Sequence, residues 1–328
     1  MTAPLVLVTN ARAEDSGQAI VDAIGDAGEV VFFSEVAPAD RDDVLRRAAA
    51  VMTYHPLRDL GTDGIGMLEN CRLIQCLTAG IDYLPLQSLP ADIPVAYNAG
   101  AYAEPMAEHI LAMTLAAAKR LRIEHFEMQD GNFNQFHWTR QVDGMTCGIL
   151  GFGETGRAAG RLMRALNMRV LAVNRSGTTD EPVDFIGTLD DVDRVLEDSD
   201  AVILTLSLTK QTDGLIGADR LARMKSDATL VNVARGELVD EAALYAHLLA
   251  NPHFTACLDA WWIEPVRHGK FETSYPFLEL PNVIASPHNS AMTEGALVGA
   301  AERAALNVRR LLTGEGPRFI AGDDEKMN

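Results

Sequence analysis

The sequence predicts an α/β protein built from two parallel-sheet domains, and three observations carry that reading. Residues 1–100 alternate short apolar runs with helical stretches. Residues 146–176 read as strand, tight turn, helix, strand around the pattern G-x-G-x-x-G. The same alternation then resumes as far as residue 286. Continuous apolar runs, rather than alternating ones, are what strands buried on both faces of a parallel sheet require.

In the first block the runs are Leu5–Thr9, Val30–Phe33, Ala50–Tyr54, Leu73–Leu77 and Val95–Tyr97, with helical stretches such as Gly17–Ala27 and Asp40–Ala49 between them. Thr78, Ala79 and Gly80 follow the fourth run, at a strand's C-terminal end, where α/β folds keep their ligand sites. Asn98-Ala99-Gly100 reads as a break. Glu104–Arg122 then forms one long helical pattern, apolar around much of its circumference. It is expected to be buried, in part against a partner subunit. Gln129–Gly144 is polar and irregular and reads as a loop or arm.

The glycine stretch organises the rest of the chain. Cys147–Leu150 is a short apolar strand. Gly151 makes the tight turn, Gly153 lets backbone approach a pyrophosphate, and Gly156 lets the next helix pack close to its strand. Ala158, Ala159, Leu162, Met163 and Leu166 give that helix an apolar face. Its N-terminus directs free N–H groups and a positive dipole end at the loop, which suits a diphosphate. Arg169–Val173 is the second strand. A dinucleotide site is therefore expected here. Beyond it, Ala201–Leu206, Thr229–Val233, Thr255–Leu258 and Val283–Ser286 are strand candidates. Leu189–Glu197, Ala218–Met224, Glu241–Leu249 and Glu294–Leu312 are helix candidates. The residues after Gly314 read as irregular.

Composition narrows the function. The 328 residues carry 28 basic and 46 acidic side chains, a formal charge of −18. That excess argues against nucleic acid and anionic membranes as partners. It leaves room for a small anionic substrate beside a local arginine. Cys71, Cys76, Cys147 and Cys257 make neither a zinc pattern nor a disulfide framework, so buried free thiols and no metal are expected. The first residues show no charged leader with an apolar core, and no apolar run reaches membrane-spanning length. A cytoplasmic protein is expected.

Three residues past the glycine loop have the chemistry of a hydride-transfer site: Arg235, Glu264 and His288. Each lies at or just beyond the C-terminal end of an expected strand. An arginine can clamp a carboxylate with two parallel hydrogen bonds. A histidine gives or takes a proton near neutral pH, and a carboxylate beside it stabilises its protonated form. Singly, each has a plainer reading: a surface salt bridge, a solvated turn residue, a satisfied core or capping histidine. Asp259 either touches the nicotinamide end of a cofactor or caps the next segment.

Over nearly its whole length the chain resembles the D-isomer-specific 2-hydroxyacid dehydrogenases, which include glyoxylate/hydroxypyruvate reductases and phosphoglycerate dehydrogenases. The resemblance rests on CLTAGID at 76–82, MAEHILAM at 106–113, GILGFGETG at 148–156, NVARGELVDE at 232–241, LDAWWIEP at 258–265 and SPHNSAMT at 286–293. It implies a flavodoxin-like substrate domain made of both chain ends, 1–100 plus 290–328. It also implies a Rossmann dinucleotide-binding domain, 101–289, an active-site cleft between the two, and a homodimer held largely by the central domain. It implies that Arg235 binds substrate, that Glu264 partners His288, and that His288 is the general acid/base. Thr78, Ala79 and Gly80 match the segment that binds the substrate carboxylate. Gly151, Phe152, Gly153, Glu154, Thr155, Gly156, Leu206, Ser207, Thr212, Val233, Ala234 and Asp259 match cofactor-contacting positions.

The sequence departs from the family pattern in places. Serine stands at 207 where proline is usual. Trp261 and Trp262 replace a Phe-Glu pair and either narrow the pocket or pack. The segment 267–280 is longer than usual and could cover the cleft. Asn174 stands where the family's NAD enzymes carry aspartate. Without that carboxylate nothing repels a 2′-phosphate, and Arg175 and Ser176 can bind one, so NADP is expected over NAD. Within the same fold, formate dehydrogenases carry glutamine in place of the acid, and dinucleotide-sensing corepressors share the architecture. An intact Arg235, Glu264 and His288 set favours reduction of a small 2-oxoacid.

Overall fold

The computed structural model describes residues 3–322, so the end of the irregular tail, 323–328, lies outside the described residues. The chain divides into two compact units. One is built from both chain ends, up to Tyr102 and again from Met292; the other is Ala103–Ala291. Each has its own sheet, and all strands in both are parallel.

The first unit runs β1 (Leu5–Val8), α1 (Glu14–Ile24), β2 (Glu29–Phe32), α2 (Arg41–Arg47), β3 (Ala48–Thr53), α3 (Pro56–Gly66), β4 (Ile74–Cys76) and β5 (Val95–Ala96). Its strand order is β2-β1-β3-β4-β5, the flavodoxin-like order. The five strands sit on the five apolar runs. Helix α3 has no counterpart among the expected elements. Pro56 opens it and His55 Nδ1 accepts the Arg58 N–H (3.2 Å), but Gly61 at φ +69° kinks it. Glycines within the helix mask its pattern in the sequence.

The second unit begins with α4 (Ala103–Ala118) and α5 (Leu121–Gln129). The single helix expected over Glu104–Arg122 is thus two helices, because Arg120 takes a left-handed conformation (φ +52°). Residues 130–145 are irregular. His137 in this arm is held against α5 by Glu124 (3.4 Å) and Glu127 (3.7 Å). The chain continues through β6 (Thr146–Leu150), α6 (Glu154–Ala165), β7 (Arg169–Val173), β8 (Phe185–Gly187), α7 (Val192–Asp198), β9 (Ala201–Leu204), α8 (Ala218–Arg223), β10 (Thr229–Asn232), α9 (Glu241–Ala250), β11 (Thr255–Leu258), α10 (Pro265–His268) and β12 (Val283–Ala285). The sheet order is β12-β11-β10-β9-β6-β7-β8. It is doubly wound about β6, as a Rossmann sheet is. Ile110, Ile149, Met163, Val170, Ile203 and Val231 fill one core beneath it.

The chain then returns to the first unit as α11 (Ala296–Leu312). Its Ala304, Ala305 and Val308 pack with Ile20 and Ile24 of α1 over Val6 and Met52 of the first sheet and Leu73 just before β4. All four cysteines are free and buried, and burial pushes the Cys71 thiol up to about 11. Among the described residues no helix is long and apolar enough to cross a membrane.

Candidate active site

The glycine turn lies where β6 ends, between β7 and β9, at the point where the strand order reverses. Gly151 (φ +104°) and Phe152 both donate to the Val173 carbonyl, at 3.0 and 2.8 Å. A Cβ on Gly151 would fall 2.5 Å from the Leu206 nitrogen, and one on Gly156 would fall 2.3 Å from the Gly151 carbonyl oxygen. Packing alone demands glycine at both. Gly153 differs, because a Cβ there would meet no protein atom within 4 Å. It caps α6, so an opening lies before the N–H groups of that helix, beside Glu154 and Thr155 in its first turn. That cradle fits a diphosphate. Phe152 is buried, which leaves its backbone for any ligand contact.

The neighbouring loops are fastened to this turn. Thr205 Oγ1 donates to the Gly151 carbonyl (2.7 Å), placing Leu206 beside it. Thr212 is buried; its hydroxyl donates to the Ser207 carbonyl (2.7 Å) and accepts the Thr209 N–H (2.8 Å). The loop therefore closes with serine at 207. At the end of β7, Asn174 Oδ1 accepts the N–H groups of Ser176 (3.1 Å) and Gly177 (2.8 Å), and its Nδ2 donates to the Thr178 carbonyl (2.8 Å). Its carboxamide shapes the turn that presents Arg175 and Ser176, both exposed.

The three chemical candidates come from three adjacent strand ends. Arg235 follows β10, after the buried Val233 and Ala234, and its Nη1 donates to the Ala234 carbonyl (2.7 Å). Gly236 must be glycine, since a Cβ there would lie 2.3 Å from the Trp261 carbonyl carbon. Glu264 is nearly buried. Both its oxygens lie 2.8 Å from His288 Nδ1, and Oε1 also accepts the Trp261 N–H (2.8 Å). Burial by itself pushes the Glu264 carboxyl up. The hydrogen bond and charge of His288, the Trp261 N–H and the Arg235 guanidinium outweigh it and hold the group below its ordinary value. An ionised carboxylate only accepts, so Nδ1 of His288 carries a hydrogen and Nε2 is left to exchange one. In the first unit Thr78, Ala79 and Gly80 are half-buried just past β4; the Thr78 carbonyl accepts the Asn98 N–H (2.8 Å).

Asp259 directly follows β11. Its side chain is fully buried and caps the loop after β12, accepting from the Ser286 hydroxyl and from the N–H groups of Asn289 (3.0 Å) and Ser290 (3.2 Å). The two tryptophans pack. Trp261 Nε1 donates to the Ser286 carbonyl (2.9 Å). Trp262 Nε1 donates to the Val239 carbonyl (2.8 Å) while its rings stack on Phe277. The long segment 267–280 lies against α9 of its own unit. Ser274 donates twice to Glu241 (2.7 and 2.8 Å) and Tyr275 stacks on Tyr245. Two further polar residues join the network, Ser286 and His109. Both stand inside the motifs MAEHILAM and SPHNSAMT, but nothing in the sequence singles them out from their neighbours.

Comparison with known proteins accounts for this arrangement. Residues 111–290, more than half of the chain, match the family described as D-isomer specific 2-hydroxyacid dehydrogenase, NAD binding domain. A glyoxylate reductase of Thermococcus kodakarensis is 28% identical over 334 residues, covering 98% of this chain and 97% of that protein. A D-3-phosphoglycerate dehydrogenase of Archaeoglobus fulgidus is 32% identical over 231 residues, or 70% of this chain and 43% of that longer protein. The crystal structure of a D-isomer specific 2-hydroxyacid dehydrogenase from Xanthobacter autotrophicus Py2, in complex with NADPH and MES, superposes with a TM-score of 0.77 at 27% identity. That match covers 97% of this chain and 98% of that one. The matched region runs from α4 through the glycine cradle to the loop bearing His288. The chain therefore belongs to the D-isomer specific 2-hydroxyacid dehydrogenase family and takes a nicotinamide dinucleotide as its cofactor.

Proposed function

We propose that the protein reduces a small 2-oxoacid of the glyoxylate or hydroxypyruvate type to its D-2-hydroxyacid, with NADPH preferred over NADH. The observation that carries this is His288 Nδ1 held between both oxygens of Glu264 at 2.8 Å. Bound nicotinamide supplies the hydride. The protein's part is to orient the oxoacid and deliver a proton. His288 gives its Nε2 proton to the carbonyl oxygen while Glu264 stays ionised and steadies the imidazolium. Arg235 aligns the carboxylate and stabilises charge developing on the oxygen. The backbone at Thr78, Ala79 and Gly80 is a second carboxylate binder. At the adenosine end, the turn shaped by Asn174 presents an arginine and a serine and no carboxylate, which favours a 2′-phosphate. The test is NADPH and NADH oxidation with glyoxylate, hydroxypyruvate and pyruvate, set against reduction of the oxidised cofactors by formate. Turnover of none of the oxoacids would overturn the reading.

The second unit also exposes Phe133, Phe136 and Trp138 on the arm, the last at 94%. Three large apolar side chains so close in sequence mark an interaction surface, and a second copy of the chain is the occupant proposed. The buried free thiols support a reducing compartment, and the cytoplasm is the location proposed.

A further inference from the structure

The loop that carries His288 is fastened on both sides of it. Before it, every polar group of Ser286 is engaged. The Ser286 N–H donates to the Leu258 carbonyl (2.9 Å), and its carbonyl accepts the Trp261 indole N–H (2.9 Å). Its hydroxyl lies 2.5 Å from Asp259 Oδ1 and 3.1 Å from His109 Nε2. After it, Asn289 and Ser290 donate to the same Asp259. Between these ties His288 holds φ +51°, a left-handed conformation that residues other than glycine seldom adopt. Backbone of that kind persists where its surroundings over-determine it.

Counting protons along the array gives it a direction. Asp259 as a carboxylate only accepts. The single hydroxyl proton of Ser286 goes to it, so Ser286 faces His109 with a lone pair, and His109 Nε2 carries a hydrogen. His109 stands on α4 beside the fully buried Ile110, and is 177 positions from Ser286 in sequence. We propose that His109 is a positioning residue for the reductase reaction: through Ser286 and Asp259 it fixes the strained backbone that aims the His288 imidazole. This rests on the reading of His288 as the proton donor.

The experiment compares H109L, H109Q, S286A and H288N by steady-state kinetics with NADPH and glyoxylate. A glutamine side chain places an N–H donor near the imidazole's Nε2 position, whereas leucine does not. H109L and S286A should each lose roughly ten- to a hundredfold in kcat, the cost of a misaimed catalytic group, with KM for NADPH changed less than about twofold. H109Q should recover most of the loss. The double variant H109L/S286A should be no worse than the poorer single one, because both cut the same array. S286A, the smaller excision, carries the same prediction if H109L does not fold. Wild-type kcat in H109L or S286A, H109Q as poor as H109L, or additive losses would each overturn the proposal. If H288N turns over like wild type, the proton-donor reading itself fails. If H288N is inactive while H109L and S286A are unimpaired, only the role of His109 falls.

Discussion

Arg235 sits close enough to Glu264 for its charge to help hold that carboxyl ionised, a duty separate from the grip on substrate proposed for it. R235K keeps the charge and loses the planar fork that grips a carboxylate at two points. Its kcat/KM should fall by at least about tenfold, or roughly 1.4 kcal/mol, with KM raised and kcat lowered together. Kinetics matching wild type would remove Arg235 from the substrate. At the far end of the cofactor cradle, N174D keeps an oxygen for the N–H groups of Ser176 and Gly177 but loses the bond to the Thr178 carbonyl. N174D/R175A should shift the ratio of kcat/KM for NADPH over NADH toward NADH. A wild type that prefers NADH, unmoved by the double change, would end that argument. The glycines of the turn are legible in the sequence because Gly151, Gly153 and Gly156 make a local signal. The duty of Asp259 is not, because its partners stand 27 to 31 residues away and only loop geometry brings them together.

The loop from Ser286 to Ser290 is an element whose stability depends on charge. Burial alone pushes the Asp259 carboxyl up; hydrogen bonds from Ser286 and from the backbone of Ser290 and Asn289 outweigh it and hold the group below its ordinary value. The unfolded chain therefore binds the proton more readily than the folded one. The stability this carboxylate contributes is fully present above its unfolded pKa of about 3.9 and is lost as the pH falls through the lower folded value. The urea midpoint of D259N should lie below wild type at neutral pH, and the gap should narrow as the pH drops below about 4. A gap that stays constant with pH would show that Asp259 contributes shape and not charge. Other elements are unevenly legible. Strand β8 escapes a sequence reading because its three residues, two of them half-buried, make no apolar run. The break between α4 and α5 escapes it because Arg120 turns left-handed with neither glycine nor proline to announce it. The strands rich in buried aliphatic residues are plain.

At the scale of the molecule, the arm gives a direct test of assembly. If a second copy covers Phe136 and Trp138, light scattering should find twice the 35.5 kDa chain mass, and F136S/W138S should move the mass toward one chain. A wild type of single-chain mass would dismiss the pairing. The interruption of the first unit's sequence by that of the second has a consequence for how the protein is made. Strands β1 to β5 leave the ribosome before the rest, yet the helix that covers one face of their sheet is α11, about two hundred residues later. At about 5–20 residues per second the apolar side chains of Val6, Met52 and Leu73 wait roughly twelve to sixty seconds for Ala304 and Val308. The second unit has no such delay, since every strand of its sheet lies between Ala103 and Ala291. During synthesis the nucleotide-binding half is thus expected to close before the half whose strands emerge earlier.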